Sequence, residues 1–532
     1  MSNIIFTFFL LFSGMSYSAP LPHRLVDKGG DWMAKKLPMF YGALLLTAVN
    51  LLLRTAGTSF QVYISATLGA AGVGLLQLVM SVGSLSMVAG IAGVRTATMY
   101  LTAEELGRGK PGHIPSVLSG CLLYSVLCSG ALSVGLYLGA PWIAQHWIGS
   151  AATADSLRLF AAFLPASCLC AVLTGYFTGA NRIGTLAAVE VAEQLCSMAV
   201  TLGLLRFWAA GDPGRSCMSV ILGSSAGAVV TLVTLFVLRL QQHRGPGQPI
   251  PIRSRLLQTA VPLALADDLK SGINTAENLM VPKRLALHTA IADPLAAFGM
   301  LSGMVFPVLM FPACILFSLA ELLIPELARC AAGGSWQRIR YLSRRSLRIA
   351  LVYGLFFGAA EFLLAETLCL RLYQSREAGQ YLRLYALLIP MLYCDAIIDA
   401  MNKGLGQQKI CVRFNILTSA MDVALLYLLL PKYGMLGYFC SFLITHAVNF
   451  ILSLRLLIRV TGHRLPLGTA LLALGAAAAA VWCAGQATGI GGQMAVFSAT
   501  FFSLLFLLKV AGKEDILWLR GLIAGKTAGF PP

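Results

Sequence analysis

Charged residues are scarce in this sequence. Only 11% of its 532 residues are Asp, Glu, Lys or Arg, whereas soluble domains carry about 25%. Hydrophobic residues make up 58% of the chain. This composition excludes an ordinary soluble globular protein and indicates a chain that lies largely in a lipid bilayer.

Motifs for several common chemistries are also missing. None of the 13 cysteines belongs to a CxxC pair, so we predict no metal site, no disulfide framework and no cofactor. The pattern GxxxxGK[ST] does not occur, which argues against direct ATP hydrolysis. The segments between apolar runs are short and hold no Ser/His/Asp, Cys/His or paired-carboxylate arrangement typical of catalysis, so we do not expect an enzyme.

Apolar runs of about 20 residues, each long enough to cross a bilayer, recur along the chain, and about fourteen can be counted. Alternating spans place most of the 39 Lys and Arg on the side that holds residues 21–38, above all in 239–255 and 338–348. This bias predicts a multi-pass membrane protein with both termini in the cytoplasm. The net charge of +17 is then explained by orientation and contact with membrane lipids, and we expect no nucleic-acid partner.

The first 38 residues form a separate N-terminal segment in this prediction. Residues 1–20 have an apolar core and small residues before Pro20, as in a secretory signal, but no basic residue. Cleavage would leave Lys35 and Lys36 outside, against the charge bias. We therefore expect either an extra hydrophobic stretch or a true start at Met33.

Polar residues form stripes along several predicted spans. At about 100° per residue, the members of each stripe share one helix face. Charged stripes on several spans predict a solvated central cavity, with salt bridges that only hold helices together as the alternative. The stripes are Thr47, Asn50, Arg54, Thr58, Gln61 and Ser65 in the first span; Gln77, Ser81, Ser84, Arg95, Thr98 and Thr102 in the second; Glu190, Glu193, Ser197 and Thr201 in the fifth; Asp267, Lys270, Asn274 and Glu277 in the seventh; and Asp395 and Asp399 in the tenth.

The chain also contains a weak internal repeat. Residues 74–77, Gly-Leu-Leu-Gln, match residues 299–302, Gly-Met-Leu-Ser. Residues 179–183, Gly-Ala-Asn-Arg-Ile, match residues 406–410, Gly-Gln-Gln-Lys-Ile, at nearly the same offset. Two agreeing offsets predict a duplicated unit of six spans.

The repeat predicts the domain organisation of an all-α polytopic membrane protein. Two parallel six-helix halves, residues 39–240 and 256–460, surround a central cavity and are joined by the basic linker 241–255. Residues 461–532 add two C-terminal helices and a cytoplasmic tail. Transporters with parallel repeats place substrate between the halves and rock one against the other.

Four stretches resemble the stage V sporulation protein B group of polysaccharide flippases, in the multidrug/oligosaccharidyl-lipid/polysaccharide exporter superfamily. They are LLLRTAGTSFQVYISATLGAAGVGLLQL, GYFTGANRIGTLAAVEVAEQ, NLMVPKRL and FGMLSGMVFPVLMFP. The resemblance implies a two-lobed transporter that flips undecaprenyl-pyrophosphate-linked sugars to the outer leaflet of a bacterial cytoplasmic membrane. Polysaccharide or peptidoglycan precursors, including those for spore cortex, are the implied cargo, and cell-wall synthesis enzymes are candidate partners.

The resemblance also suggests roles for individual residues. Similar lipid II flippases have arginine and glycine at positions matching Arg54 and Gly57, and their arginines are thought to engage pyrophosphate. This chain departs from that pattern, with Phe60 and Ala66 in place of two further arginines, and with Arg95 where the sporulation group often has proline. We expect the substrate to contact Arg54, Gln61, Arg95, Lys270 and Asn274. We expect sugar hydroxyls, a coupling ion or a proton to be held by Glu190, Glu193, Asp267, Glu277, Asp395 and Asp399.

Three other functions remain as alternatives. A cation-coupled multidrug exporter of the same superfamily would favour acids over bases in its cavity, so Arg54 and Arg95 argue against it while Asp267 and Glu277 support it. A cell-envelope polymerase or ligase would need a larger external segment for catalysis than this chain offers. A scaffold for cell-wall enzymes would not need the charged stripes.

Overall fold

The computed structural model describes residues 39–180, 182–209, 212–241, 251–462 and 467–508. The predictions for residues 1–38, for positions 242–250 of the basic linker and for the tail beyond 508 lie outside the described residues. So do the side chains of Thr47 and Asn50.

The described part of the chain is helical and contains no β-strand. Short π-helical turns occupy Ala144–Ile148 and Leu301–Val305. The α-helices are α1 Met39–Ile91, α2 Val94–Gly107, α3 Ile114–Ile143, α4 Ala154–Gly179, α5 Ile183–Phe207, α6 Pro213–Leu240, α7 Arg253–Leu285, α8 Pro294–Met300, α9 Phe306–Met310, α10 Ala313–Ala332, α11 Trp336–Tyr373, α12 Arg376–Ala386, α13 Ile389–Gly404, α14 Gln408–Thr461, α15 Leu467–Ala484 and α16 Ile490–Leu507.

The two longest helices are hairpins with a kink in place of a loop. Helix α1 has 53 residues and α14 has 54, about 80 Å each if straight, against about 30 Å of hydrocarbon. Gly69 breaks α1 at φ 70° and Gly434 breaks α14 at φ 55°, where glycine is favoured. A Cβ on Gly437 would lie 2.5 Å from the Leu429 carbonyl oxygen, and this short distance shows that the chain folds back at Gly434. Each helix therefore provides two crossings.

Two further spans are bent. The axis turns by 64° between Pro294–Met310 and Ala313–Ala331, and by 55° between α12 and α13. In the described part of the chain, eight helices are long and apolar enough to cross a membrane, or ten if each bent pair is one span. Counting both hairpins twice and adding the charged α7 and the short α15 gives the 14 helical spans predicted. The prediction of an all-α polytopic membrane protein is confirmed.

Three hydrophobic clusters hold the helices together. The largest joins helices from α1 to α14, and a small one packs α15 and α16 against α11. The remaining cluster joins α2 to α6 and includes Ile252, Leu256 and Ala260. The start of α7 thus packs with helices of the first predicted half. The domain boundaries themselves stay a prediction.

Candidate transport pathway

Helix α1, just after its Gly69 kink, crosses α8 at very short range. A Cβ on Gly299 would lie 1.9 Å from the Ala70 carbonyl oxygen, and one on Gly74 would lie 2.3 Å from that of Leu295. Only glycine allows two backbones to come so close. Gly74 and Gly299 are the first residues of the repeated pattern, so the structure places the two copies against each other.

Hydrogen bonds join the two predicted halves near the same crossing. The Ser65 hydroxyl donates to the Gly303 carbonyl oxygen at 2.6 Å. The Thr275 hydroxyl donates to the Ser81 carbonyl oxygen at 3.1 Å, and the Asn278 amide donates to the Ser81 hydroxyl at 3.0 Å. The halves are therefore in close contact at the end predicted to face outward.

Arg54 forms an ion pair with a residue of the other predicted half. Its Nη2 lies 3.4 Å from Oε1 of Glu321 on α10, and its guanidinium lies 5.3 Å from the centre of the Phe317 ring. The Arg54 side chain is 45% exposed and that of Glu321 is 59% exposed. Because charges in a membrane protein avoid lipid, this exposure indicates a polar space between the halves.

The second span is broken between α1 and α2. Ala92 and Gly93 have φ values of 45° and 70°, and a Cβ on Gly93 would lie 2.4 Å from the Ala260 carbonyl oxygen of α7. No side chain caps the start of α2. The free N–H groups of a helix start attract anions, and the exposed Arg95 lies in this first turn. The break brings a backbone and a side-chain cation together.

Arg54 and Arg95 lie at different depths. Arg54 precedes the Gly69 kink by 15 positions and Arg95 follows it by 26. At about 1.5 Å per residue, Arg95 lies about 16 Å further along its helices from the kink than Arg54 does. This separation along the helices favours contact of one pyrophosphate with one arginine at a time.

The acids of α5 face two kinds of neighbour. Glu190 is close enough to Arg95 for an electrostatic interaction, and Glu193 accepts a hydrogen bond from the Thr231 hydroxyl at 2.8 Å. Thr201 packs tightly against Gly223 of α6. Glu193 and Thr201 thus contribute to helix packing, whereas Glu190 lies beside Arg95.

The polar stripe of α7 also contains exposed residues and one acid that interacts with another helix. Asp267, Lys270 and Asn274 are exposed. The Glu277 carboxyl lies close enough to Asp422 on α14 for an electrostatic interaction. Asp422 also accepts hydrogen bonds from Ser441 at 2.6 Å and Thr445 at 3.3 Å. Two neighbouring carboxylates repel each other when both carry a charge.

The remaining predicted acids, Asp395 and Asp399, have partners within the second predicted half. Asp395 accepts a hydrogen bond from the Asn449 amide at 2.8 Å, and Asp399 pairs with Lys403, one turn away, at 2.6 Å. The Gln61 side chain is half-buried and its amide nitrogen has no hydrogen-bond partner. Among the described residues, no three His, Cys, Asp or Glu side chains are placed to hold a metal ion.

Three features were missed by sequence reasoning. Glu321 lies near Arg54, and Asp422 near Glu277, only because spans distant in the sequence pack together. The sequence signal for each was a single charge inside an apolar run, LAELLIP or AMDVALL. The break at Ala92 was also missed, and a stripe computed for one continuous helix does not extend across it. The glycines of GIAGV were its only signal.

Comparison with known proteins gives a consistent result. The sequence model of the family described as "Polysaccharide biosynthesis protein" matches residues 40–331. Stage V sporulation protein B of Bacillus subtilis (strain 168) is 21% identical over 89% of this chain and 96% of its own length. Sporulation protein YkvU of the same organism is 24% identical over 50% of this chain and 61% of its own.

Solved structures share the fold at low identity. The lipid II flippase MurJ in an inward closed conformation aligns with a TM-score of 0.65 at 13% identity, covering 90% of this chain and 100% of MurJ. An inward-facing multidrug resistance MATE transporter of the MOP superfamily aligns with a TM-score of 0.64 at 13% identity, covering 79% and 98%. Since the family match spans more than half of the sequence, this chain belongs to the polysaccharide biosynthesis protein family of multi-pass membrane proteins.

Proposed function

We propose that this protein flips an undecaprenyl-pyrophosphate-linked sugar from the inner to the outer leaflet of the bacterial cytoplasmic membrane by alternating access. The observation that carries the proposal is Arg54, a half-exposed cation between the two halves that forms an ion pair with Glu321 of the opposite half. Family membership and the flippase among the structures of similar fold support it.

The chemistry of the cargo explains why such a site is needed. The sugar and pyrophosphate cannot cross about 30 Å of hydrocarbon unaided, while the lipid tail need never leave it. A polar space between two halves shelters the head, and a gap between helices leaves the tail in lipid. An arginine fork suits phosphate better than a point charge does.

The two arginines act in succession in this proposal. Arg95, at the start of α2, receives the pyrophosphate near the inner end, and Arg54 holds it about 16 Å further toward the outer end. Arrival of the anion at Arg54 displaces Glu321 and thereby breaks a link between the halves. Lys270 and Asn274, exposed on α7, contact the head group during this passage.

The carboxyl pair Glu277 and Asp422 carries the coupling ion or proton. Its two acids, on α7 and α14, repel each other when both are ionised, so binding of a cation draws these helices together. The Ser441 and Thr445 hydroxyls supply further oxygen ligands. We expect Glu277→Gln to remove the dependence of transport on an imposed sodium or proton gradient, which is measured in vesicles with each gradient in turn.

Flipping of a fluorescent undecaprenyl-pyrophosphate disaccharide in proteoliposomes tests the function. Arg54→Ala should lose flipping at least about 100-fold, and Arg54→Lys should restore only part of it because a point charge replaces the fork. Arg158→Ala is the matched control, because Arg158 is 43% exposed and pairs with Asp155 at 3.2 Å. Equal flipping by wild type and Arg54→Ala would contradict the role of Arg54 in anion binding but would still support the flippase function.

Export of cationic drugs is the second candidate. The acidic pair Glu277 and Asp422 and the multidrug transporters of the same fold favour it. Uptake of cationic dyes into the same vesicles under a sodium or proton gradient decides between the two. Dye transport without lipid flipping would replace the proposed function.

A further inference from the structure

An aromatic platform stands at the end of α3 that is predicted to face outward. The rings of Trp142 and His146 stack with centres 5.1 Å apart at 19°, and the ring of Trp147 meets that of Trp142 edge-on at 5.9 Å. Trp142 is 55% exposed and Trp147 is 37% exposed. Three rings thus form one surface that remains open on its outer face.

A π-helical turn builds this platform. The Gly149 N–H donates to the Ala144 carbonyl oxygen at 2.9 Å, five residues back. In an α-helix, Trp147 would lie about 140° around the axis from Trp142. The wider π turn returns Trp147 to the same face, and such turns are frequent at functional sites.

The platform is tied to the other predicted half. Lys283, at the end of α7, donates to the His146 carbonyl oxygen at 2.5 Å. Any movement between the halves at this end therefore acts on the turn that carries the rings. A tryptophan that only anchors a protein at the membrane surface needs neither a stacked neighbour nor such a tie.

We propose that Trp142, His146 and Trp147 bind the sugar head of the cargo as it leaves the pathway, a site that rests on the proposed function. A pyranose ring has an apolar face of C–H groups, whose positive edges suit the negative face of an indole ring. The site binds a saccharide ring without the pyrophosphate. It gives the head a place to rest outside the closed crossing of α1 and α8.

Binding of tetra-N-acetylchitotetraose, followed by saturation-transfer NMR on the full chain in nanodiscs, tests the site. Nanodiscs expose both faces of the protein, so binding is measured whether or not the protein flips lipid. Trp142→Ala should weaken binding about three- to tenfold, while Trp142→Phe, which keeps a ring, should weaken it less. Trp482→Ala, at a 72% exposed tryptophan of α15, is the matched control and should change nothing.

The outcomes separate the site from the function. Equal binding by wild type, Trp142→Ala and Trp482→Ala overturns the platform, and so does the absence of saccharide binding in a wild-type protein that flips lipid. Loss of binding in Trp142→Ala alone supports the platform, even if the flipping assay refutes the flippase.

Discussion

Two ion-pair sites join the first predicted half to residues that follow it in the chain, and they differ in burial and in geometry. Near the inner end, Arg255 of α7 binds Glu104 at 2.6 Å and Glu105 at 2.8 Å, and the Glu105 side chain is only 2% exposed. His113 contacts the other Glu105 oxygen at 2.8 Å. Between the halves, Arg54 makes one longer contact of 3.4 Å with the 59% exposed Glu321.

The difference separates a structural ion pair from a displaceable one. An ion pair between an arginine and a buried carboxylate is expensive to break, because one charge is then left buried without its partner. A single exposed pair contributes about 0–1 kcal/mol. We infer that Arg255 keeps the start of α7 fixed to the first half, whereas Arg54 is available to a competing anion.

Exchanging the charges of the exposed pair gives the largest expected effect. The double variant Arg54→Glu with Glu321→Arg keeps an ion pair but moves the guanidinium from α1 to α10. We expect flipping in proteoliposomes to stay at least about 100-fold below wild type, because anion binding depends on where the fork is held. The melting temperature in detergent should stay near that of wild type.

Recovery of flipping in this double variant would contradict the anion site. It would show that Arg54 matters only through its bond to Glu321. The double variant Arg158→Asp with Asp155→Arg is the control, since this local pair at the start of α4 is expected to tolerate exchange.

The contrast also explains what the sequence could predict. Local patterns are sufficient for the spans, because apolar length is a property of a continuous segment, and they placed Arg54 on a polar stripe. The partner Glu321 lies 267 positions away, and only the packing of α1 against distant helices brings it near. The break at Ala92 likewise depends on the approach of Gly93 to α7. The single charge of Glu321 and the glycines of GIAGV are visible in the sequence, but neither identifies the distant partner.

Removing the buried acid should affect stability rather than transport. Glu105→Gln keeps the shape of the side chain but removes the buried charge that Arg255 and His113 both contact. We expect the free energy of unfolding to fall by about 2 kcal/mol, measured by denaturant unfolding in detergent. Flipping per folded molecule should change less than about twofold.

Glu104→Gln serves as the comparison for this change. Glu104 is 24% exposed, so its loss should cost less stability than that of Glu105. A Glu105→Gln protein that is stable but does not flip lipid would show that this cluster acts in transport and not only in stability.

Neutralising Glu321 should give the smallest effect, and in the opposite direction. If an anion must displace Glu321 from Arg54, then Glu321→Gln removes that competition. Because an exposed pair contributes at most about 1 kcal/mol, binding of inorganic pyrophosphate should tighten by no more than about fivefold. Titration calorimetry on the detergent-solubilised protein measures this change.

Asp155→Asn, which frees Arg158 in the same manner, should leave pyrophosphate binding unchanged. Weaker binding in Glu321→Gln would mean that Glu321 holds Arg54 in position for the anion instead of competing with it. The Arg54–Glu321 pair would then have a structural role, as the Arg255–Glu105 pair does. Arrival of the cargo would no longer explain how the two halves separate.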